Sequence, residues 1–218
     1  RTGKMEIRAE DKRRFAECID RSIQANQDRI EKDPRDTEAL RALGVAHGLR
    51  ANYLFLVEKS WMDALREATA ARHANEQVLD INPNLVDARL VLGVNQYVVG
   101  SLPFYLKLVG FLNGFRGDKE GGIRELETVA AHGVRDKFDA KVLLAVIYRR
   151  ERLPEKALPL LEELAGRFPR NYLFLFEQVQ MYSDLGDKQS ALRVLAEIER
   201  RRQDRAPGYA ELHLEKVQ

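Results

Sequence analysis

From Phe138 onward the chain repeats itself. Tyr148 recurs as Tyr182, Ala157 as Ala191, Leu161 as Leu195 and Leu164 as Ile198, each 34 residues on. Such a period constrains the fold more than any other feature, because one unit is too short to bury its own apolar face and must stack on a copy of itself. Within each period the apolar residues return every three or four positions, the spacing of one helix face. Small residues (Ala157, Ala191) stand where paired helices cross, and Pro169 closes a second helix. The pattern predicts helices over about Lys137–Arg150, Pro154–Arg167, Asn171–Leu185 and Lys188–Arg202.

Upstream the same pattern is stretched. EKDPRDTEALRALG around Pro34 matches DINPNLVDARLVLG around Pro83, and Leu43-Gly44 matches Leu92-Gly93, at an offset of 49. The first full repeat is therefore about 15 residues overlong. About 8 of these fall on its first arm and about 7 on its second, and roughly seven residues return a helix to the same face. The expectation is a long hairpin, Thr37–Glu58 and Trp61–Ile81, whose Tyr53, Leu54, Phe55, Val57 and Trp61 stay wet unless covered. Before it, about Arg8–Lys32 reads as one helix with Phe15, Ile19, Ile23 and Ile30 on a stripe, ended by Asp33-Pro34.

After a helix over about Val86–Val99, Ser101-Leu102-Pro103 reads as a helix start. The following Phe104–Leu112 is apolar on every side except Lys107, which predicts burial or docking, and the expected partner is the hairpin tip. A glycine-rich turn, Gly114–Gly122, leads into a helix over about Lys119–Ala131, and this repeat carries about 17 extra residues. Ala206-Pro207-Gly208 breaks the chain before a short terminal helix, Tyr209–Val217. No segment alternates like a strand. The fold class is all-α, a right-handed superhelix of antiparallel helix pairs, two of them extended by apolar insertions. The expected organisation is one solenoid over 1–218, with a partial repeat at 8–33, pairs at 37–83, 86–133, 137–170 and 171–204, and a terminal helix at 208–217.

Lys and Arg number 36 against 34 acidic residues, a net charge of +2, which gives no general pull toward nucleic acid or anionic membrane. No run of 18 uncharged apolar residues predicts a transmembrane helix. The single cysteine, Cys18, excludes an internal disulfide, and its spacing from Phe15, Ile19 and Ile23 reads as a buried small hydrophobe. The chain opens at Arg1 and not at Met, so residues upstream are expected; no signal peptide is visible, and a soluble periplasmic or cytoplasmic location stays open.

The repeats, Phe138–Arg202 above all, resemble tetratricopeptide repeats. The stretch 93–122 (GVNQYVVGSLPFYLKLVGFLNGFRGDKEGG), with Tyr97, Leu102-Pro103, Val109-Gly110 where a Leu-Gly pair is usual, and Gly117-Asp118, resembles bacterial tetratricopeptide proteins with a long-hairpin insertion. It is also similar to the inclusion-body-clearance group of tetratricopeptide-like proteins. The resemblance implies a concave surface, lined by the first helix of each pair, that takes a partner peptide or protein. The residues it places there are Arg41, Val45, Leu90, Val94, Tyr97, Val142, Val146, Arg149, Phe176 and Gln180. The carboxylate clamp that holds chaperone tails in such repeats is departed from, with Val45 where the clamp needs Asn and Leu90 where it needs Asn or Lys.

Nothing points to catalysis, a metal or a cofactor. His47, His73, His132 and His213 lie on different helices at no ligand spacing and read as solvated or capping. Gly114–Gly122 lacks the Gly-Lys-Ser/Thr ending of a phosphate loop. Glu162-Glu163 and Asp136/Asp139 sit on exposed faces with no apolar pocket to raise a pKa. Arg149, Arg150, Arg152 and Arg200–Arg202 read mainly as solvated clusters, although Arg149 with Arg41 and Tyr97 would favour an acidic peptide. Basic residues do not recur at every unit, as an RNA-binding repeat requires. Two functions follow: a non-catalytic scaffold or adaptor binding a protein segment in its groove, or a lipid- or membrane-surface module docking through the 103–112 helix with Phe104, Tyr105, Leu108, Phe111 and Leu112.

Overall fold

The computed structural model describes residues 7–102, 117–210 and 212, and among these every regular element is helical. The chain divides into two compact units, Arg1–Val134 and Arg135–Gln218. The first holds α1 (Ala9–Lys32), α2 (Thr37–Tyr53), α3 (Trp61–Ile81), α4 (Arg89–Gly100) and α5 (Lys119–His132); the second holds α6 (Lys137–Arg150), α7 (Pro154–Arg167), α8 (Leu173–Asp184) and α9 (Lys188–Gln203).

In the first unit, α1 carries Glu10 and Asp11 in its first turn and Arg29 and Lys32 in its last, charges that oppose the helix dipole. It stops at Asp33, whose φ of −139° is the extended geometry a following proline demands. Asp36 then caps α2, its carboxylate accepting from the Ala39 amide at 2.9 Å. Ile19, Ile23 and Ala46, with Phe15 and Leu43, join α1 to α2. Cys18 corrects the sequence reading: it is exposed. One residue from Ile19 is about 100° around the helix, enough to carry the thiol off the buried stripe.

The long hairpin is present. α3 has 21 residues, whereas α6 and α7 have 14 each, so its arm is longer by about two turns. Its first arm does not stay α-helical to the tip: α2 passes into a π-helical turn, Leu54–Glu58, closed by Lys59 in left-handed geometry at φ 58°. Leu40, Val78 and Ala88 form the core at the other end, with Ile30, Leu79, Ile81 and Leu85 packed on it. α2 and α3 approach closely at Gly44, where a Cβ would meet the Asn75 amide at 2.1 Å.

A single 3-10 turn, Val86–Ala88, precedes α4, so the helix expected from Val86 begins regular α geometry at Arg89. α4 and α5 cross at two glycines. A Cβ on Gly93 would lie 2.9 Å from the Gly122 carbonyl, and one on Gly122 would lie 2.5 Å from the Gly93 carbonyl. Gly121 and Gly122 thus belong to the first turn of α5, not to a turn before it, with Asp118 capping the helix through the Gly121 amide at 2.9 Å. The expected apolar helix at 103–112, its packing against the hairpin tip, and most of the expected terminal helix after Tyr209 lie outside the described residues.

In the second unit, α6 and α7 run over the limits the periodicity set, and α8 begins at Leu173 because Asn171 accepts from the Leu173 amide at 3.2 Å. Ala157, Leu161 and Leu164 of α7 are buried, and Ala191 and Ile198 of α9 repeat their roles. Leu195 does not repeat Leu161: it is 36% exposed, and Val194 turns inward instead. Leu161 is covered by α8, whose buried Gln178 donates to the Leu161 carbonyl at 3.1 Å, whereas α9 is followed among the described residues only by a turn. That turn plugs the core with Tyr209, 1% exposed among Leu175, Val194 and Ile198. Arg201 holds it, donating to the Tyr209 hydroxyl at 3.1 Å and to the Pro169 carbonyl at 3.3 Å.

Candidate interaction face

The residues expected to line a groove do not share one environment. In the first unit, Val45 on α2 is 42% exposed, Arg41 is half-buried, and Leu90 and Val94 on α4 are half-buried. Tyr97 is 4% exposed, its backbone pressed against Gly122, and it offers no ring face to a partner. The reason is the glycine crossing, which brings α5 so close that the Tyr97 side of α4 is enclosed.

In the second unit the first helices α6 and α8 present the face more openly. Val146 is 62% exposed, although it sits on a helix whose Leu144, Ala145, Ile147 and Tyr148 are all buried. Val142, one turn earlier, is half-buried. Arg149 reaches from α6 to α8 and donates to both oxygens of Glu177, at 2.6 and 2.8 Å. Gln180 is exposed and bonded to Asp184 at 2.8 Å, while Phe176 packs on the core around Tyr209, edge-to-face with Tyr172 at 5.8 Å. The structure thus joins Arg149 to α8 and leaves Val146 bare beside that pair, while Phe176 turns toward the core.

The basic clusters are largely internal to their helices. Arg200 and Arg201 pair with Glu197, and Arg202 with Glu199. Lys141, buried on α6, is held by Glu163 of α7. Spacing did not reveal a polar cluster in the first unit: His47 Nδ1 lies 2.7 Å from Glu67, Arg50 Nε lies 2.8 Å from the same carboxylate, and Arg50 also reaches Asp20 at 2.9 Å. Burial pushes the Glu67 carboxyl up, but hydrogen bonds from Arg50 and His47 more than offset this and hold it below its ordinary 4.5. The four residues tie α1, α2 and α3 together. Of the four histidines read as solvated or capping, His73, 3.2 Å from Glu76, and His132 are exposed, whereas His47 departs from that reading, half-buried in this cluster; His213 lies outside the described residues.

At the hairpin tip Phe55, Leu56, Trp61 and Met62 are 59%, 62%, 55% and 44% exposed. Tyr53 is half-buried, stacked on Phe15 at 4.8 Å and donating to Glu58 at 2.7 Å. Among the described residues no three His, Cys, Asp or Glu side chains converge as metal ligands, and no helix is long and apolar enough to cross a membrane.

No protein-family model matches the chain, and no curated protein matches it. Two solved structures of MamA share its fold. One has a TM-score of 0.56 at 18% identity and covers 93% of this chain and 99% of its own. The other has a TM-score of 0.55 at 19% identity and covers 94% of this chain and 92% of its own. At this identity the likeness establishes the fold, a tetratricopeptide-like array of paired helices.

Proposed function

We propose that the protein is a non-catalytic scaffold that takes a segment of a protein partner on the outward face of its first helices, α2 and α4 in one unit and α6 and α8 in the other. The reading treats 1–218 as one array of pairs, and the tetratricopeptide-like fold supports a protein-interaction role in general. The observation that carries it is Val146, 62% exposed in mid-helix on α6 beside the Arg149–Glu177 pair. A single exposed apolar residue is ordinary on a protein surface. The reading therefore rests on Val146 together with half-buried Val142 one turn away and the Arg149–Glu177 pair, apolar and charged groups side by side on a first helix. Val45, also bare, marks the corresponding face of α2. The test is a double variant, Val146→Asp with Arg149→Glu, assayed for capture of the partner from native extract. Loss of the partner with unchanged helicity is expected; capture equal to the parent overturns the reading. Tyr97 is unsuited to such a test, because substituting a residue that is 4% exposed perturbs packing.

A second reading, attachment to a lipid surface, draws on the likeness of 93–122 to the inclusion-body-clearance group and is favoured by the bare tip Phe55, Leu56, Trp61 and Met62. Flotation with liposomes separates the two: a scaffold stays at the bottom of the gradient, and a lipid-docking module rises.

A further inference from the structure

Where α7 turns into α8, a cleft of about 740 Å³ opens in the second unit, within the usual size range of ligand pockets. One wall is aromatic. Phe138 of α6 meets Phe168 edge-to-face at 5.5 Å, and Phe168 meets Phe174 of α8 at 6.3 Å. Arg167 lies over two of these rings, 5.7 Å from Phe138 and 5.8 Å from Phe168. Arg170, in the loop that follows α7, also lines the cleft.

The charges around this cleft are out of balance. On the neighbouring face Arg149 is neutralised by Glu177 and Lys141 by Glu163. Arg167 and Arg170 form no ion pair among the described residues, and Asp139 is the only carboxylate in the lining. A guanidinium within cation–π reach of two rings is drawn toward them while its N–H edge stays free to grip a carboxylate. That attraction narrows the orientations open to Arg167 before any ligand arrives, which lowers the entropy lost on binding.

We propose that this cleft receives a side-chain carboxylate, together with an adjacent apolar side chain, from an acidic stretch of a protein partner. The inference rests on the scaffold reading and names the chemistry the partner must bring. Arg167 and Arg170 take the carboxylate through charge-assisted bonds, and the Phe138–Phe168–Phe174 wall takes the apolar neighbour. A nucleic acid fits less well. The chain's net charge is only +2, and basic residues do not recur at every unit.

The probe is a phage-displayed library of random dodecapeptides selected on the full 218-residue chain. Enriched peptides are then titrated by fluorescence anisotropy. Enrichment of Asp or Glu next to Phe, Leu or Ile is expected, with affinity falling about tenfold in Arg167→Gln/Arg170→Gln and falling with added salt. Both arginines are exposed, so the variant keeps the parent's circular dichroism. Peptides without acidic residues, affinity unchanged in that variant, no enrichment, or tighter binding of poly(U) RNA than of any peptide each overturn the proposal. If binding is lost in Val146→Asp/Arg149→Glu but not in the arginine-to-glutamine variant, the cleft is refuted and the scaffold face stands.

Discussion

Arg152 closes α6 in left-handed geometry, at φ 59°, and 34 positions later the equivalent closing residue of α8 is Gly186, at φ 74°. A side chain costs roughly 1 kcal/mol at such a position, where glycine is at home. Arg152→Gly should therefore stabilise the second unit by about 0.5–1 kcal/mol, read as a higher midpoint in urea; a lower midpoint would show that the Arg152 side chain contributes more than its backbone costs. At Glu67 the folded pKa is depressed, so its stabilising contribution is fully present above the ordinary value of 4.5 and is lost as pH falls through the lower folded value. Glu67→Gln should flatten the loss of stability below pH 4.5, checked by thermal melts across acid pH. An undiminished acid slope would assign that loss to other carboxylates. Single residues were also where sequence reasoning met its limits. Cys18 lies one step from a buried stripe, and Tyr97 is enclosed by the glycine contact of a helix more than 20 positions away. Periodicity resolves which turn a residue is on far better than which edge of the face it occupies.

Apart from the start of α4, three residues late, and the end of α2, five residues early, the described helices were legible to within a residue or two, because their ends are written in local chemistry: Asp33-Pro34, Phe168-Pro169, and the Asp36, Asp118 and Asp187 caps. The overlong hairpin was legible as well, since an insertion of about seven residues per arm preserves the apolar face. The π-helical turn at Leu54–Glu58 was not, as it differs from α geometry by one residue per turn and leaves no mark in an apolar run. Nor was the cleft between α6, Phe168 and α8, which depends on where a loop places rings that are distant in sequence. The Leu43-Gly44 and Leu92-Gly93 match set the offset between repeats; that both glycines stand at helix crossings emerged only from the structure. At the α4–α5 crossing, where the neighbour is backbone and not a side chain, Gly122→Ala puts a methyl group 2.5 Å from the Gly93 carbonyl, and the backbone has to move. The expected cost is about 1–3 kcal/mol of stability in the first unit, measured by urea denaturation, and a variant as stable as its parent would mean that α4 and α5 do not cross there.

At the scale of the whole chain, repetition explains both what holds the protein together and what it leaves available. In the second unit one pair buries a side against the next, as Leu161, Leu164 and Gln178 show between α7 and α8, and Val146 on the first helix is left exposed. The stacked interior is encoded in the period and could be read from it. The exposed face is not periodic: Val146 and Arg149 are followed 34 positions on by Gln180 and Ser183, and Arg149 already binds Glu177 of the next pair. Hydrogen exchange of the full chain, alone and in complex with its native partner, tests this division most directly. Slowed exchange on α6 and α8 around Val142, Val146 and Glu177, with α7 and α9 unchanged, is the predicted result; protection confined to α7 and α9 would contradict it.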